Sequence, residues 1–322
     1  MTEHYFDESR GLYRISPFRD CHMHFIRAGK VLTEDDLPAV ARSYLDSGIA
    51  TVDDMGHQSA IGPRARDLLS GAGLRVRTAV CALRKKGGYG SFLGQGIRDR
   101  DDIAPAIREI VDAGADFIKI IGSGIVDITG AGGVTAGGFS SDELAVICGE
   151  ARQGGLAVAC HANGDASIRD AVRAGVASIE HGFFISRETL HMMVEAKTAW
   201  VPTVYALSRL VPALSGWQRE YAERVVEAHL ASIAYAASIG VRLRAGTDSG
   251  SPGVEHGSSF VGELGLFRKA GLSLGQILSA ACMEEEETKQ GSYLLVGEDF
   301  LETPRVEEIY LCGRRYAAGE MG

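Results

Sequence analysis

Two imidazoles one residue apart, in Asp20-Cys21-His22-Met23-His24, are the first residues of this chain whose types and spacing could hold a metal ion. In a strand alternate side chains share a face, so Asp20, His22 and His24 would point together. On a helix the same spacing splays the imidazoles by about 200° and the pair loses its meaning. Further metal-capable side chains follow. Lys119 sits in the apolar run Asp116-Phe117-Ile118-Lys119-Ile120, and His161 in Cys160-His161-Ala162-Asn163. His181 lies in Ile179-Glu180-His181-Gly182, and Asp248 in Ala245-Gly246-Thr247-Asp248-Ser249-Gly250. Singly, each has an ordinary structural explanation, such as a lysine snorkelling from a strand end or an aspartate capping a turn. Jointly, those explanations require six metal-type side chains to fall independently at strand ends. Neutral imidazoles and carboxylates suit zinc.

Positioning such a set requires a repeated scaffold, and the hydropathy pattern supplies one. Short apolar, β-branched runs predict strands over 18–23, 49–53, 75–81, 117–121, 157–160, 178–180, 199–203 and 242–245. Amphipathic runs predict helices over 34–46, 60–72, 101–113, 141–153, 166–173, 186–196, 217–239 and 257–270. Ser140-Ser141-Asp142-Glu143 can cap one of these helices, and Gly48, Gly114 and Gly175 each sit where a helix turns into the next strand. Eight such units predict the α/β class and a closed (β/α)8 TIM barrel, whose strand ends share one active-site face. An open doubly wound sheet is the alternative, but no Gly-x-Gly-x-x-Gly follows the first strand. Two glycine-rich connections, 83–97 and 122–139, would rim the mouth as lid or specificity loops. The barrel core is expected over 18–281, with 1–17 and 291–318 as accessory β segments of one domain. Strands near 293–296 and 306–312 could pair with 11–15, and Glu284–Glu287 would be a solvated helix end.

Composition narrows the partners. At 322 residues, 45% hydrophobic and 23% charged, the chain can bury a full core. A net charge of -9, with Arg84-Lys85-Lys86 the densest basic cluster, argues against nucleic acid and anionic membranes. No window reaches the ~18 apolar residues of a membrane span, and residues 1–14 do not read as a secretory signal. The six cysteines lack any Cys-x-x-Cys pairing and are expected to be reduced, in a cytoplasmic protein. A small molecule is the expected partner, and a homo-oligomer is compatible with the sequence.

The ordered set, His-x-His on the first strand, Lys on the fourth, His on the fifth and sixth and Asp on the eighth, resembles the binuclear branch of the amidohydrolase superfamily. The resemblance covers about 18–281. Its local phrases, Asp116-Phe117-Ile118-Lys119, Ile179-Glu180-His181-Gly182, Gly246-Thr247-Asp248-Ser249 and His256-Gly257, look most like the imidazolonepropionase and Xaa-Pro or Xaa-Arg dipeptidase type. It implies two divalent ions, zinc being the expected metal. His22, His24 and Asp248 would bind the more buried ion, His161 and His181 the more exposed one, and Lys119, carbamylated by CO₂, would bridge them. It further implies hydrolysis of an amide C–N bond, in an N-acyl amino acid, dipeptide or cyclic amide. A metal-bridging hydroxide would attack, with Asp248 as general base and then general acid.

Around this set, Asp20 is a candidate for orienting a histidine or for a structural role at the strand entrance. Tyr205, His57 and His256 are candidate substrate contacts, and His191 and His229 are read as structural or solvated. The chain departs from the resembled family in its short N-terminal portion, which implies a vestigial β-sandwich formed by the termini. It departs again where Gly87-Gly88-Tyr89 replaces a Gly-Gly-His phrase of the dipeptidase type. The same centre would serve a lactone, carbamate or ester hydrolase, and a silent metal-binding scaffold is the reading from another class.

Overall fold

The computed structural model describes residues 5–7, 11–130, 132–284, 288, 290–297, 300 and 306–316. Three of its parallel strands are buried on both faces, as unbroken apolar runs require when helices cover a parallel sheet. Ile49–Asp54, Ile118–Ile121 and Val158–Ala162 are buried at every position.

Six parallel strands form one sheet, in the order Ala199–Val201, Ser178–His181, Val158–Ala162, Ile118–Ile121, Ala82–Lys85, Gly94–Ile97. Three more, Phe18–Met23, Ile49–Asp54 and Arg75–Thr78, form a second. Backbone hydrogen bonds cross the gaps between the two. On one side the Asp116 amide donates to Thr78 O at 2.8 Å. On the other, residues 242–248 run between Ala199–Val201 and Phe18–Met23. The Trp200 amide donates to Arg242 O, Arg244 to Trp200 O and Cys21 to Ala245 O, at 2.8–2.9 Å. The predicted strand over 242–245 is therefore a segment held by a single isolated bridge, Leu243 to Trp200. Its neighbour Ala199–Val201 is only three residues long, which leaves no room for a longer ladder.

The predicted strand over 75–81 breaks at Val80, whose φ is +64°. The chain then restarts as Ala82–Lys85, inside what the sequence suggested was a loop. That strand pairs with Ile118–Ile121 and with a second unpredicted strand, Gly94–Ile97. The approach is close: a Cβ on Gly94 would lie 2.0 Å from Ala82 O. Helices follow prediction more closely. Ser140 caps Ser141–Gln153, accepting from the Glu143 amide at 3.3 Å while Glu143 accepts from the Ser140 amide at 3.0 Å. The helix expected over 257–270 begins only at Phe260, because Gly257, at φ +78°, turns against Ser43, whose carbonyl leaves 2.3 Å for a Cβ.

The termini form a five-stranded antiparallel sheet in which Leu12–Ile15 pairs with Tyr293–Gly297, as the pattern suggested. Phe18 joins this layer to the parallel strands, its ring 5.7 Å from Phe300 and 5.5 Å from Phe260. The acidic residues 285–287 lie outside the described residues. All six cysteines are unpaired, four of them buried. Among the described residues no helix is long and apolar enough to cross a membrane.

Candidate metal centre

Strand alternation and closely packed strand ends bring His22, His24, Lys119, His161, His181 and Asp248 to the wall of one cavity of about 580 Å³. His22 Nε2 and His24 Nε2 each lie 3.5 Å from Asp248 Oδ1. Ring centroids are 4.9 Å apart for His22 and His181 and 4.6 Å for His161 and His181. Lys119 is 1% exposed and its Nζ has no hydrogen-bond partner among the described residues; neither has His22 Nε2.

Each imidazole is held by one nitrogen, leaving the other for the cluster. His22 Nδ1 meets Glu180 Oε2 at 2.7 Å, and His24 Nδ1 meets Gly56 O at 3.1 Å. His181 Nδ1 meets Thr203 Oγ1 at 2.6 Å, and Thr203 in turn donates to Pro202 O, which makes its oxygen the acceptor. For His161 the held atom is Nε2, 2.9 Å from Gly124 O. Acceptors at these positions fix the tautomers and aim the remaining lone pairs inward.

The cluster is electrostatically costly as a set of free side chains. Burial first, and then the Lys119 charge, holds His24 and His161 down to about 3. His22 and His181 are pushed down as well, by burial before all else. Burial lowers Lys119 and lifts Asp248 to about 6, against the Ser251 hydroxyl, which donates to Asp248 Oδ2 at 2.9 Å. The imidazoles are thus neutral donors near pH 7. His181, Thr203 and Asp248 have φ of +66°, +47° and +58°. Left-handed backbone at three non-glycine residues is strain that a functional site can retain.

The remaining sequence candidates divide. His57 lines the cavity, whereas the described lining does not include Tyr205 or His256. Tyr205 packs against Gly262, where an added Cβ would lie 2.2 Å from its ring, so the ring is turned away from the cavity. His256 Nε2 bonds the His24 carbonyl at 2.9 Å and its ring meets Tyr44 edge-on, which makes it a brace. Asp20 accepts from the His22 and Thr247 amides and from the Thr247 hydroxyl, at 3.2, 3.0 and 2.6 Å, so it staples the first strand to residue 247. His229 is buried, stacked on Phe183 with centroids 4.1 Å apart. His191 bonds the Tyr235 hydroxyl at 2.9 Å.

Sequence reasoning missed Glu180, Thr203 and Tyr89. Glu180 was visible beside His181, but alternation within Ser178–His181 turns it away from His181, and its partner His22 is 158 residues distant. Tyr89 stands in the cavity wall with its ring 5.5 Å from His161.

Residues 16–285 match the amidohydrolase family. The uncharacterized protein Rv2915c of Mycobacterium tuberculosis is 26% identical over 269 residues, 82% of this chain and 70% of that protein. Ochratoxinase of Aspergillus niger is 25% identical over 243 residues, 73% of this chain but 48% of that protein, so the alignment spans less than half of it. Among solved structures, a Xaa-Pro dipeptidase with methionine bound in its active site superposes with a TM-score of 0.80 at 22% identity, covering 96% of this chain and 87% of that one.

Proposed function

Since the chain belongs to the amidohydrolase family, we propose that it hydrolyses an amide C–N bond of a small molecule at a metal centre built by His22, His24, Lys119, His161, His181 and Asp248. One observation carries this reading: four imidazoles, three of them buried and His181 half-buried, are each tethered by one nitrogen in the cavity that Lys119 and Asp248 also line, with His22 Nε2 and His24 Nε2 both 3.5 Å from Asp248 Oδ1. Hydrogen bonding among the described residues leaves Lys119 Nζ and His22 Nε2 unsatisfied; a cation would remove that cost at His22 Nε2 directly, and at Lys119 only once its nitrogen carries a carboxylate. His22, His24 and Asp248 fit one ion, their ligand atoms lying within 4.8 Å of one another. His161 and His181 would hold a second. Lys119, whose charged form is disfavoured by burial, would in its neutral form add CO₂ at Nζ, losing a proton and gaining the carboxylate that a bridging ligand needs.

Two divalent ions, with zinc suited to this nitrogen and oxygen donor set, would supply Lewis acidity and lower the pKa of water. The protein's own groups do the rest. Asp248 keeps Oδ2 occupied by Ser251 and presents Oδ1 to the cluster, where it can take a proton and return it to the leaving nitrogen. Glu180 and Thr203 hold the imidazole orientations. The hydrogen bonds across both gaps of the parallel sheets support reading them as one closed (β/α)8 barrel, with the terminal sheet as a reduced β-sandwich.

Metal quantification coupled to a hydrolysis screen of N-acyl amino acids, dipeptides, cyclic amides, lactones and carbamates tests the proposal. About two divalent ions per chain and turnover of amides are expected, with both diminished in Lys119→Ala. Protein free of divalent metal and indifferent to Lys119→Ala would sink it, and turnover of lactones or carbamates alone would move the activity to ester-like bonds.

A further inference from the structure

Above the histidine cluster, most of the cavity wall is hydrocarbon. Phe92, Ile121, Val126, Phe183 and Leu210 line it together with Tyr89. At the rim Phe92 is 41% and Ile125 37% exposed, so the apolar surface continues to the mouth. Among the described lining residues there is no arginine, and the lysine is Lys119 at the cluster itself. His57 offers no ready cation, since its Nδ1 accepts from the Ser59 amide at 3.0 Å and faces the Ser59 hydroxyl at 2.8 Å. Nearby but outside that lining, the exposed Arg209 donates from Nε to Gly253 O at 3.2 Å, with its guanidinium 6.0 Å from the Tyr205 ring centre. The Tyr89 hydroxyl has no hydrogen-bond partner among the described residues and offers a neutral donor.

A carboxylate seated against this wall, away from the metal centre, would shed water and meet no cationic side chain of the described lining, whereas an apolar group would gain by the same desolvation. We infer that the site takes an uncharged amide bearing an aromatic or branched aliphatic group, and discriminates against the same compound carrying a carboxylate. The inference rests on the amide-hydrolase reading for its chemistry and on the wall for its selectivity. It disfavours dipeptides and N-acyl amino acids as substrates relative to their decarboxylated counterparts.

Binding separates this from the catalytic proposal. Calorimetry on the purified protein would compare two hydrolysis-resistant probes, N-(2-phenylethyl)benzenesulfonamide and N-benzenesulfonyl-L-phenylalanine, which differ by one carboxylate. The neutral probe is expected to bind about tenfold or more tightly. Ile125→Arg, at the exposed rim, is expected to narrow or reverse that preference. Equal or tighter binding of the acid, no binding of either probe, or an unchanged preference in Ile125→Arg would overturn the inference. Turnover of the matching benzamides is a separate readout: its absence counts against the hydrolase reading, while the probe preference still decides the present one.

Discussion

Glu180 Oε2 lies 2.7 Å from His22 Nδ1, with both side chains almost wholly buried. The carboxylate fixes which nitrogen of His22 carries the proton and turns Nε2 toward Asp248. Glu180→Gln keeps the shape and an acceptor oxygen but removes the charge. Metal affinity should fall about tenfold or more, measured by competition with a chelator, while the folded state persists. Unchanged affinity would remove Glu180 from a positioning role.

The long connection 122–139 is anchored at its far end by Tyr221, whose hydroxyl oxygen accepts from the Gly133 amide at 2.6 Å. Within it, the Asp127 amide donates to Gly133 O and Thr135 to Ile125 O, both at 2.9 Å. Tyr221→Phe should lower global stability by no more than about 1 kcal/mol, yet raise protease cleavage within 122–139 about fivefold. Cleavage at the wild-type rate would mean that the anchor does not hold this segment.

His229 is buried between Phe183 and Trp200, and burial lowers its pKa from 6.5 to about 4. Between those values the unfolded chain binds the proton and the folded one does not. Stability from this residue is therefore complete above pH 6.5 and is lost as pH falls toward 4, by about 3 kcal/mol. In His229→Phe, denaturant titrations across this range should show a correspondingly shallower acid loss. An identical pH slope in the two proteins would refute the assignment.

Gly62 packs on a buried pair in which the Thr78 hydroxyl donates to Asp54 Oδ2 at 2.7 Å. A Cβ there would lie 2.0 Å from Thr78 Oγ1 and 2.3 Å from Asp54 Oδ2. Gly62→Ala should cost about 2–4 kcal/mol in urea unfolding, from overpacking and the broken bond together. A loss below about 0.5 kcal/mol would show that the helix Ile61–Leu69 can shift freely.

Much of the fold was legible because its signals are local. Apolar runs of strand length, the Ser140 cap and the glycines ending helices each act over a few residues, and alternation alone placed His22 and His24 on a shared face. The order of Lys119, His161, His181 and Asp248 along the chain was equally plain, since Lys119 lies within a strand-like run and the others at or just past the end of one. Which atoms meet was not. His22 finds Glu180 across 158 residues, and Tyr205 turns toward Gly262 while Tyr89 faces the cavity. Nor could periodicity reveal that residues 79–81 break a strand and that 82–85 and 94–97 pair as new ones, because Gly94 is useful only once Ala82 is beside it. The sequence by itself determined the donor types and their spacing, which are covalent facts. Only the tertiary structure decided their tethers and the apolar wall around them, because hydrogen-bond geometry and burial arise when distant segments close on one another.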